Sequence, residues 1–378
     1  GSCHSSASVL VRESAGEMMH AGRSVCGVAA ARQQLLRLGV RGLSASAAVR
    51  AQALQYESHG APESVLKMVD GPVSGSGDVR VKMVAAPINP ADINLVQGVY
   101  GEQVPLPAVA GNEGLAEVVD PGSSSFKAGD RVVPKRVGFG TWATERLCKA
   151  DDLLPMPHNI PDEYAATLSV NPCTAYRLLA DFEDLKQGDV VLQNGANSMV
   201  GQSVVQIAKK KGIKTVNIVR PRDDREYGEL VERMKAYGAE IVVPSSMVGT
   251  PQFKALLSDL PAPKLALNCV GGNSATDLAR HLAPGGTLVT YGGMSRRPVQ
   301  IPTSLLIFND IKLRGFWLSR WVEQNTDAAR TAMLDELAEM VSKKELRLWL
   351  ETYGFDEYNT ALERAIHEQK DRKTIFKF

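Results

Sequence analysis

From Asn194 to Ser198 the chain reads Asn-Gly-Ala-Asn-Ser, and Met199-Val200-Gly201 follows. Small polar side chains at the start of a helix leave backbone N–H groups open to an anion, the arrangement that binds a pyrophosphate. Further on stands Arg220-Pro221-Arg222. A dinucleotide without a 2′-phosphate usually meets an Asp or Glu here, accepting from the ribose hydroxyl, whereas a guanidinium suits a 2′-phosphate. These residues therefore predict NADPH in preference to NADH. The other reading is a solvated basic loop that also carries Asp223 and Asp224, and a comparison of the two cofactors separates them.

The elements that must hold these groups follow from the hydrophobic pattern. Val190 to Gln193 is a short buried run. Val200, Val204, Ile207 and Ala208 recur at helical spacing up to Gly212, and Lys214 to Val219 is a second apolar run. Further strands are predicted at 240–243, 264–270 and 286–291, with helical segments between them, which argues a doubly wound parallel sheet. The turns Gly271-Gly272-Asn273 and Tyr291-Gly292-Gly293-Met294 fall at its carboxyl edge, where open α/β sheets bind ligands. Ile311 to Leu318 is predicted as one more strand, ending in Phe316-Trp317-Leu318. The tail carries an amphipathic helix through Met333, Leu334, Leu337, Met340 and Val341, and closes with Arg372-Lys373-Thr374-Ile375-Phe376.

Up to about residue 155 the pattern is different: short strands separated by Gly, Pro and Asp turns. Strands are predicted at Ala51 to Tyr56, Val79 to Val84 and Leu115 to Val119, with a turn-rich Gly71 to Asp78 between the first two. The stretches 128–133 and 140–145 each read as a turn and strand. Ala85 to Asn94, with Pro87 and Pro90 and several Asn and Asp side chains, is predicted as a loop. Gly98-Val99-Tyr100-Gly101 follows it. Loops with placed polar groups are common homes for a site.

At 378 residues and 44% hydrophobic, the chain can bury the cores of two domains. A formal charge of +1 gives no global reason to expect nucleic acid, and no apolar run reaches the roughly 20 residues that span a bilayer. The five cysteines lie far apart without a Cys-x-x-Cys, which points to a reducing compartment. Residues 1–49 are rich in Arg, Ser and Ala and carry only Glu13 and Glu17 as acids. That is the composition of a mitochondrial transit peptide, so they are excluded from the fold and a matrix address is expected.

A β-rich first half, a nucleotide-binding sheet and a C-terminal return together resemble the medium-chain dehydrogenase/reductase superfamily. Within it, Ala86-Pro87-Ile88-Asn89-Pro90, Gly111-Asn112-Glu113-Gly114, Val170 to Tyr176 and Arg314-Gly315-Phe316-Trp317-Leu318 look like the mitochondrial trans-2-enoyl thioester reductases. The resemblance implies a GroES-like catalytic domain at 50–174 and 318–378, a Rossmann domain at 175–317, and a homodimer. It also implies NADPH-dependent reduction of 2-enoyl thioesters on acyl carrier protein or coenzyme A, in mitochondrial fatty acid synthesis. Positions matching the family's cofactor contacts are Asn171, Asn197, Ser198, Met199, Val200, Arg220, Pro221, Arg222, Tyr291, Gly292, Gly293, Met294, Phe316, Trp317, Leu318 and Lys373.

Such a reduction delivers hydride to Cβ and a proton to Cα, so the protein must position the reactants and supply a donor that keeps its proton at neutral pH. Tyr, with an unperturbed pKa of about 10, does so. Tyr100 matches the family's catalytic Tyr. Trp317 either caps a core strand or walls the acyl pocket. Cys173 is expected to be inert, and Arg296, Arg297, Arg314 and Arg320 are candidates for an acidic carrier or coenzyme phosphates. Asn112 stands where the zinc-dependent branch has His, and Asn is a poor zinc ligand, so no catalytic metal is expected. The phosphate turn departs from the related quinone reductases by placing Met199 where Gly is usual, which bears on how closely the backbone nears a pyrophosphate. A zinc-free quinone or 2-alkenal reductase remains the alternative enzyme, and a binding protein for a nuclear partner or RNA a non-enzymatic one. A near-neutral charge argues against the latter.

Overall fold

The computed structural model describes residues 50–367 and 372–378; the expected transit peptide lies outside them. Two sheets dominate. The second half forms a six-stranded, all-parallel sheet in the order Ile241–Pro244, Lys214–Val219, Val190–Asn194, Leu265–Asn268, Thr287–Thr290 and Lys312–Gly315. The central strand is buried on both faces, as a sheet covered by helices on each side requires. The predicted strands of this half are present within one or two residues, apart from the last. That one ends at Gly315, and Leu318–Gln324 is a helix with Trp317 as its N-cap. The correction has a simple cause: an apolar run of that length fits a buried strand or a strand passing into a helix, and periodicity cannot separate them.

The first half and the C-terminus share an eight-stranded sheet. Val79–Pro87 is its longest strand, lying between Leu115–Asp120 and the C-terminal strand Lys373–Lys377, which runs antiparallel to it and parallel to Leu350–Gly354. Ile375 sits opposite Pro87, so the last strand of the chain returns Lys373 to the end of the Val79 strand. A separate three-stranded sheet joins Arg50–Tyr56 to Lys67–Pro72 and Ala108–Val109.

Three further expectations are corrected. The stretch 85–94 is not a loop: the strand runs to Pro87, and Pro90–Val96 is a helix. Pro87 can end this strand because past Ala85 only the C-terminal strand pairs with it, and a proline gives up only one N–H. Pro90 occupies a first-turn position, where its missing N–H costs nothing. Between 140 and 145 there is one isolated bridge, Ala53 to Ala143, and the strand is Glu145–Cys148 instead. The stretch Gly71 to Asp78 is not turn throughout: it takes in the end of the exposed strand Lys67–Pro72, whose sequence lacks a sustained alternation, and the two-residue strand Ser74–Gly75. Across the middle, helix Asn171–Leu178 packs on helix Met199–Lys210, and Met333, Leu334, Leu337, Met340 and Val341 of helix Asp327–Ser342 are buried in the same core.

Candidate functional site

The phosphate turn forms where the buried strand Val190–Asn194 meets helix Met199–Lys210. Gly195 holds φ +57°, and a Cβ there would lie 2.5 Å from Cys269 Sγ, so neither the backbone nor the space admits a side chain. Ser198 caps the helix: its hydroxyl accepts from Gly201 N at 3.2 Å. Met199 is the first residue of that helix. Its side chain is 7% exposed and belongs to the main core, so its bulk lies inward while its backbone opens the helix. Asn197 is buried, and its carbonyl accepts from Gln202 Nε2 at 2.7 Å. Tyr291 to Met294 close on the same point: Tyr291 N and Met294 N donate to Asn268 O and Cys269 O, each at 2.9 Å. Tyr291 carries a buried hydroxyl, Gly292 lies against Cys269, and Gly293 and Met294 are exposed.

At the end of the adjacent strand, Arg220 and Pro221 are exposed, while Arg222 is half-buried. The Nε and one Nη of Arg222 are buried without a hydrogen-bond partner. A buried guanidinium edge without an acceptor is costly, and a phosphate oxygen pair is the acceptor its geometry fits. The competing acid is otherwise engaged: Asp223 caps helix Asp224–Tyr237, accepting from Glu226 N at 2.9 Å. The residues present therefore fit a 2′-phosphorylated dinucleotide.

A second cluster lies at the end of the Val79 strand. The Asp92 carboxylate accepts from Asn89 N at 2.7 Å, closing the first turn of the Pro90 helix, and from Asn112 N and Nδ2 at 3.0 and 2.6 Å. Asn112 Oδ1 accepts from Gly138 N at 2.7 Å, so both ends of that amide are spent locking loops together. Glu113, 1% exposed, accepts from Asn89 Nδ2 at 2.8 Å, Val170 N at 2.8 Å and Ser169 Oγ at 3.2 Å. Asn171 Nδ2 donates to Asn89 Oδ1 at 2.8 Å. Lys373 Nζ donates to Ile88 O at 2.8 Å and also to Asn89 Oδ1. Burial pushes the Asp92 and Glu113 carboxyls up to about 6 and about 7, against the pull of the Lys373 ammonium. Burial likewise lowers Lys373 to about 8, with both acids opposing it.

An aromatic pair lies within electrostatic reach of Asp92 in the second cluster. Trp317 Nε1 donates to Tyr100 Oη at 2.9 Å, and the rings meet edge to face, 6.0 Å apart at 80°. Burial raises the Tyr100 pKa, while the hydrogen bond from Trp317 acts the other way, so the phenol holds its proton at neutral pH. Phe316 packs edge to face on Phe182 and, with Leu318, lines the edge of the main core. Cys173 is buried in that core with its thiol pushed up to about 12, the condition of an inert cysteine. Arg296, Arg297, Arg314 and Arg320 are all exposed. Among the described residues no group of three or more His, Cys, Asp or Glu is placed to hold a metal ion, and no helix is long and apolar enough to cross a membrane.

The structure thus brings the sequence-derived residues together in two groups, with Tyr100 and Trp317 as a pair. It adds Asn89, Asp92 and Glu113, to which the sequence alone gave no chemical task. Their signal was present: amide and carboxylate side chains beside prolines and glycines, in stretches otherwise apolar enough to be buried.

Comparison with known proteins matches residues 75–158 to the alcohol dehydrogenase GroES-like domain and residues 200–339 to the zinc-binding dehydrogenase family. The mitochondrial enoyl-[acyl-carrier-protein] reductase of Dictyostelium discoideum is 47% identical over 330 residues, covering 86% of this chain and 94% of that protein. Its human counterpart is 48% identical over 323 residues, covering 84% and 86%. Among solved structures, the Etr1p/NADP/crotonyl-CoA complex superposes with a TM-score of 0.80 at 33% identity, covering 87% of this chain and all (100%) of that one. The mitochondrial 2-enoyl thioester reductase Etr1p/Etr2p heterodimer from Candida tropicalis gives 0.79 at 33% identity, with 87% and 100% covered.

Proposed function

The chain belongs to the mitochondrial enoyl-[acyl-carrier-protein] reductases of the medium-chain dehydrogenase/reductase superfamily, and from that premise we propose how its own residues do the work. It reduces trans-2-enoyl thioesters to saturated acyl thioesters with NADPH, in mitochondrial fatty acid synthesis. We assign the catalytic part to 50–174 and 318–378 and the cofactor part to 175–317. The N-terminus of the Met199 helix, with Asn197 and Ser198, takes the pyrophosphate, and Arg220 and Arg222 take the 2′-phosphate. Asn171, Lys373, Tyr291 to Met294 and Phe316 to Leu318 complete the contacts.

Bound there, NADPH supplies the hydride that adds to the substrate's Cβ. Electron density then collects on the thioester oxygen, and Cα takes up a proton. Tyr100 holds that proton at Oη and offers the same O–H to the thioester oxygen; Trp317 fixes where the phenol oxygen sits. That hydrogen bond is the observation that carries the assignment, because it ties the acid to the segment that leaves the parallel sheet. Substrate carrier, matrix location and oligomeric state are part of the same proposal: acyl carrier protein or coenzyme A as carrier, a matrix enzyme delivered by residues 1–49, and a homodimer.

The test is NADPH oxidation with 2-enoyl thioesters of graded acyl length, beside quinones and 2-alkenals. Turnover of crotonyl and longer thioesters well above the quinones is expected. The reverse order would move the chain to the second reading, a quinone reductase, for which a Bacillus thuringiensis structure described as a putative NADPH:quinone reductase stands at 25% identity and a TM-score of 0.77.

A further inference from the structure

Three stretches that carry the resemblance for separate reasons meet on one side chain. Asn89 is 4% exposed and lies between the Val79 strand and the Pro90 helix. Its carbonyl oxygen accepts from Asn171 Nδ2 at 2.8 Å and from Lys373 Nζ, and its amide nitrogen donates to Glu113 Oε2 at 2.8 Å. The orientation of this amide is forced. A flip would set its NH2 against the lysine ammonium and its carbonyl against a carboxylate. Its backbone is fixed as well, by the bond from Asn89 N to Asp92. Glu113 is in turn held from the other side by Val170 N and Ser169 Oγ.

Building on the NADPH-dependent reading above, we infer that Asn89 is a positioning residue for the cofactor, clamping the Asn171 amide and the Lys373 ammonium in one fixed arrangement. Lys373 has three N–H donors, and the two bonds to Ile88 O and Asn89 Oδ1 account for two of them. Asn171 donates one amide N–H to Asn89, which fixes the plane of its amide and with it the directions of its second N–H and its carbonyl oxygen. The third Lys373 N–H and the Asn171 carbonyl oxygen then offer a donor and an acceptor, the complement of a primary carboxamide. No other side chain of the node touches both groups: Asp92 bonds Asn89 and Asn112, and Glu113 bonds Asn89 and the 169–170 backbone and hydroxyl.

Two substitutions reverse the polarity of the clamp. In Asn89→Asp, a carboxylate still accepts from Lys373 and Asn171 but faces Glu113, so the two acids must share a proton. The charged and titratable groups around the pair are Asp92 and Lys373, with Tyr56 beyond Asp92 and the Arg330 guanidinium and Cys173 thiol on the far side of Glu113. NADPH affinity should therefore fall about tenfold or more at pH 8 and recover toward pH 6. Combining it with Glu113→Gln turns the bond round: the glutamine NH2 donates to the new carboxylate, while its carbonyl keeps Val170 N and Ser169 Oγ. The node's net charge is then unchanged, and the double variant should bind NADPH close to the parent with the pH dependence removed.

NADPH titration followed by dihydronicotinamide fluorescence reads both the dissociation constant and the binding stoichiometry. A purely structural role lowers the stoichiometry and leaves the dissociation constant of the folded fraction alone. If Asn89→Asp does not fold, Asn89→Ala removes the clamp without adding charge and is read the same way. Unchanged affinity in the single variants, or a double variant no better than either single one, overturns the inference. Failure of the parent chain to bind NADPH overturns the functional reading instead.

Discussion

Tyr100 and Arg222 illustrate how much a single side chain can be asked to supply. The phenol is half-buried, accepts from the Trp317 indole and is held above its ordinary pKa by burial. Its proton is therefore present at pH 7 and released only as charge develops beside it. Removing it in Tyr100→Phe should lower turnover about 10²-fold or more, the usual range for a general acid, with NADPH affinity kept. Near-normal turnover would take Tyr100 out of the mechanism. Arg222 acts on a different quantity. Its buried Nε and Nη atoms have no protein acceptor, so Arg222→Ala should weaken NADPH binding about tenfold or more while leaving NADH binding within about twofold, since a charge-assisted bond contributes about 1.5–3 kcal/mol. Equal losses for both cofactors would assign the guanidinium to packing alone.

At the scale of elements, the parallel sheet was legible because each strand is a short apolar run bounded by Gly or small polar residues, with a helical period between. The first half was less so, and the proline-containing stretch after Val84 says why. Local chemistry there permits a loop, and only the neighbours decide otherwise: the C-terminal strand, distant in sequence, pairs with residues 85–87, and Asp92 closes the first turn of the helix. The same gap hid the Asn89 node. Its residues lie in four separate stretches, and no spacing rule joins Asn89, Glu113, Asn171 and Lys373 before the fold does. The node also makes a statement about pH. Glu113 has a pKa near 4.5 when exposed and is pushed up to about 7 when folded, so the native state binds its proton more tightly. Its contribution to stability is fully present below about 4.5 and is lost as pH rises through 7. Glu113→Gln removes that titration. Urea unfolding at pH 5 and at pH 7.5 should show the variant gaining on the parent at the higher pH, by on the order of 2 kcal/mol. A parent–variant difference that is the same at both values would show that the carboxyl titrates normally.

For the molecule as a whole, one edge of the parallel sheet is left open. Strand Lys312–Gly315 is exposed along its length and pairs on one side with Thr287–Thr290. Open edges of this kind invite another strand and are usually covered or blunted. Here the flank is apolar instead: Leu313 is 45% exposed, and helix Thr303–Asn309 presents Ile307 at 66% and Phe308 at 81%. Exposed side chains of that size in one patch mark an interface. An edge strand that meets its own copy across a two-fold axis satisfies the free backbone groups of both chains at once, and it keeps the two carboxyl edges outside the contact. A second copy of this chain is therefore the occupant we expect, although the related Etr1p also pairs with Etr2p. Light scattering on the purified chain should give twice the monomer mass. Phe308→Asp, which sets a charge into the patch, should shift it to monomer at micromolar concentration while the single chain still binds NADPH, because the phosphate turn and Arg222 lie on other elements. A parent that is monomeric at that concentration would leave the apolar flank without its proposed partner.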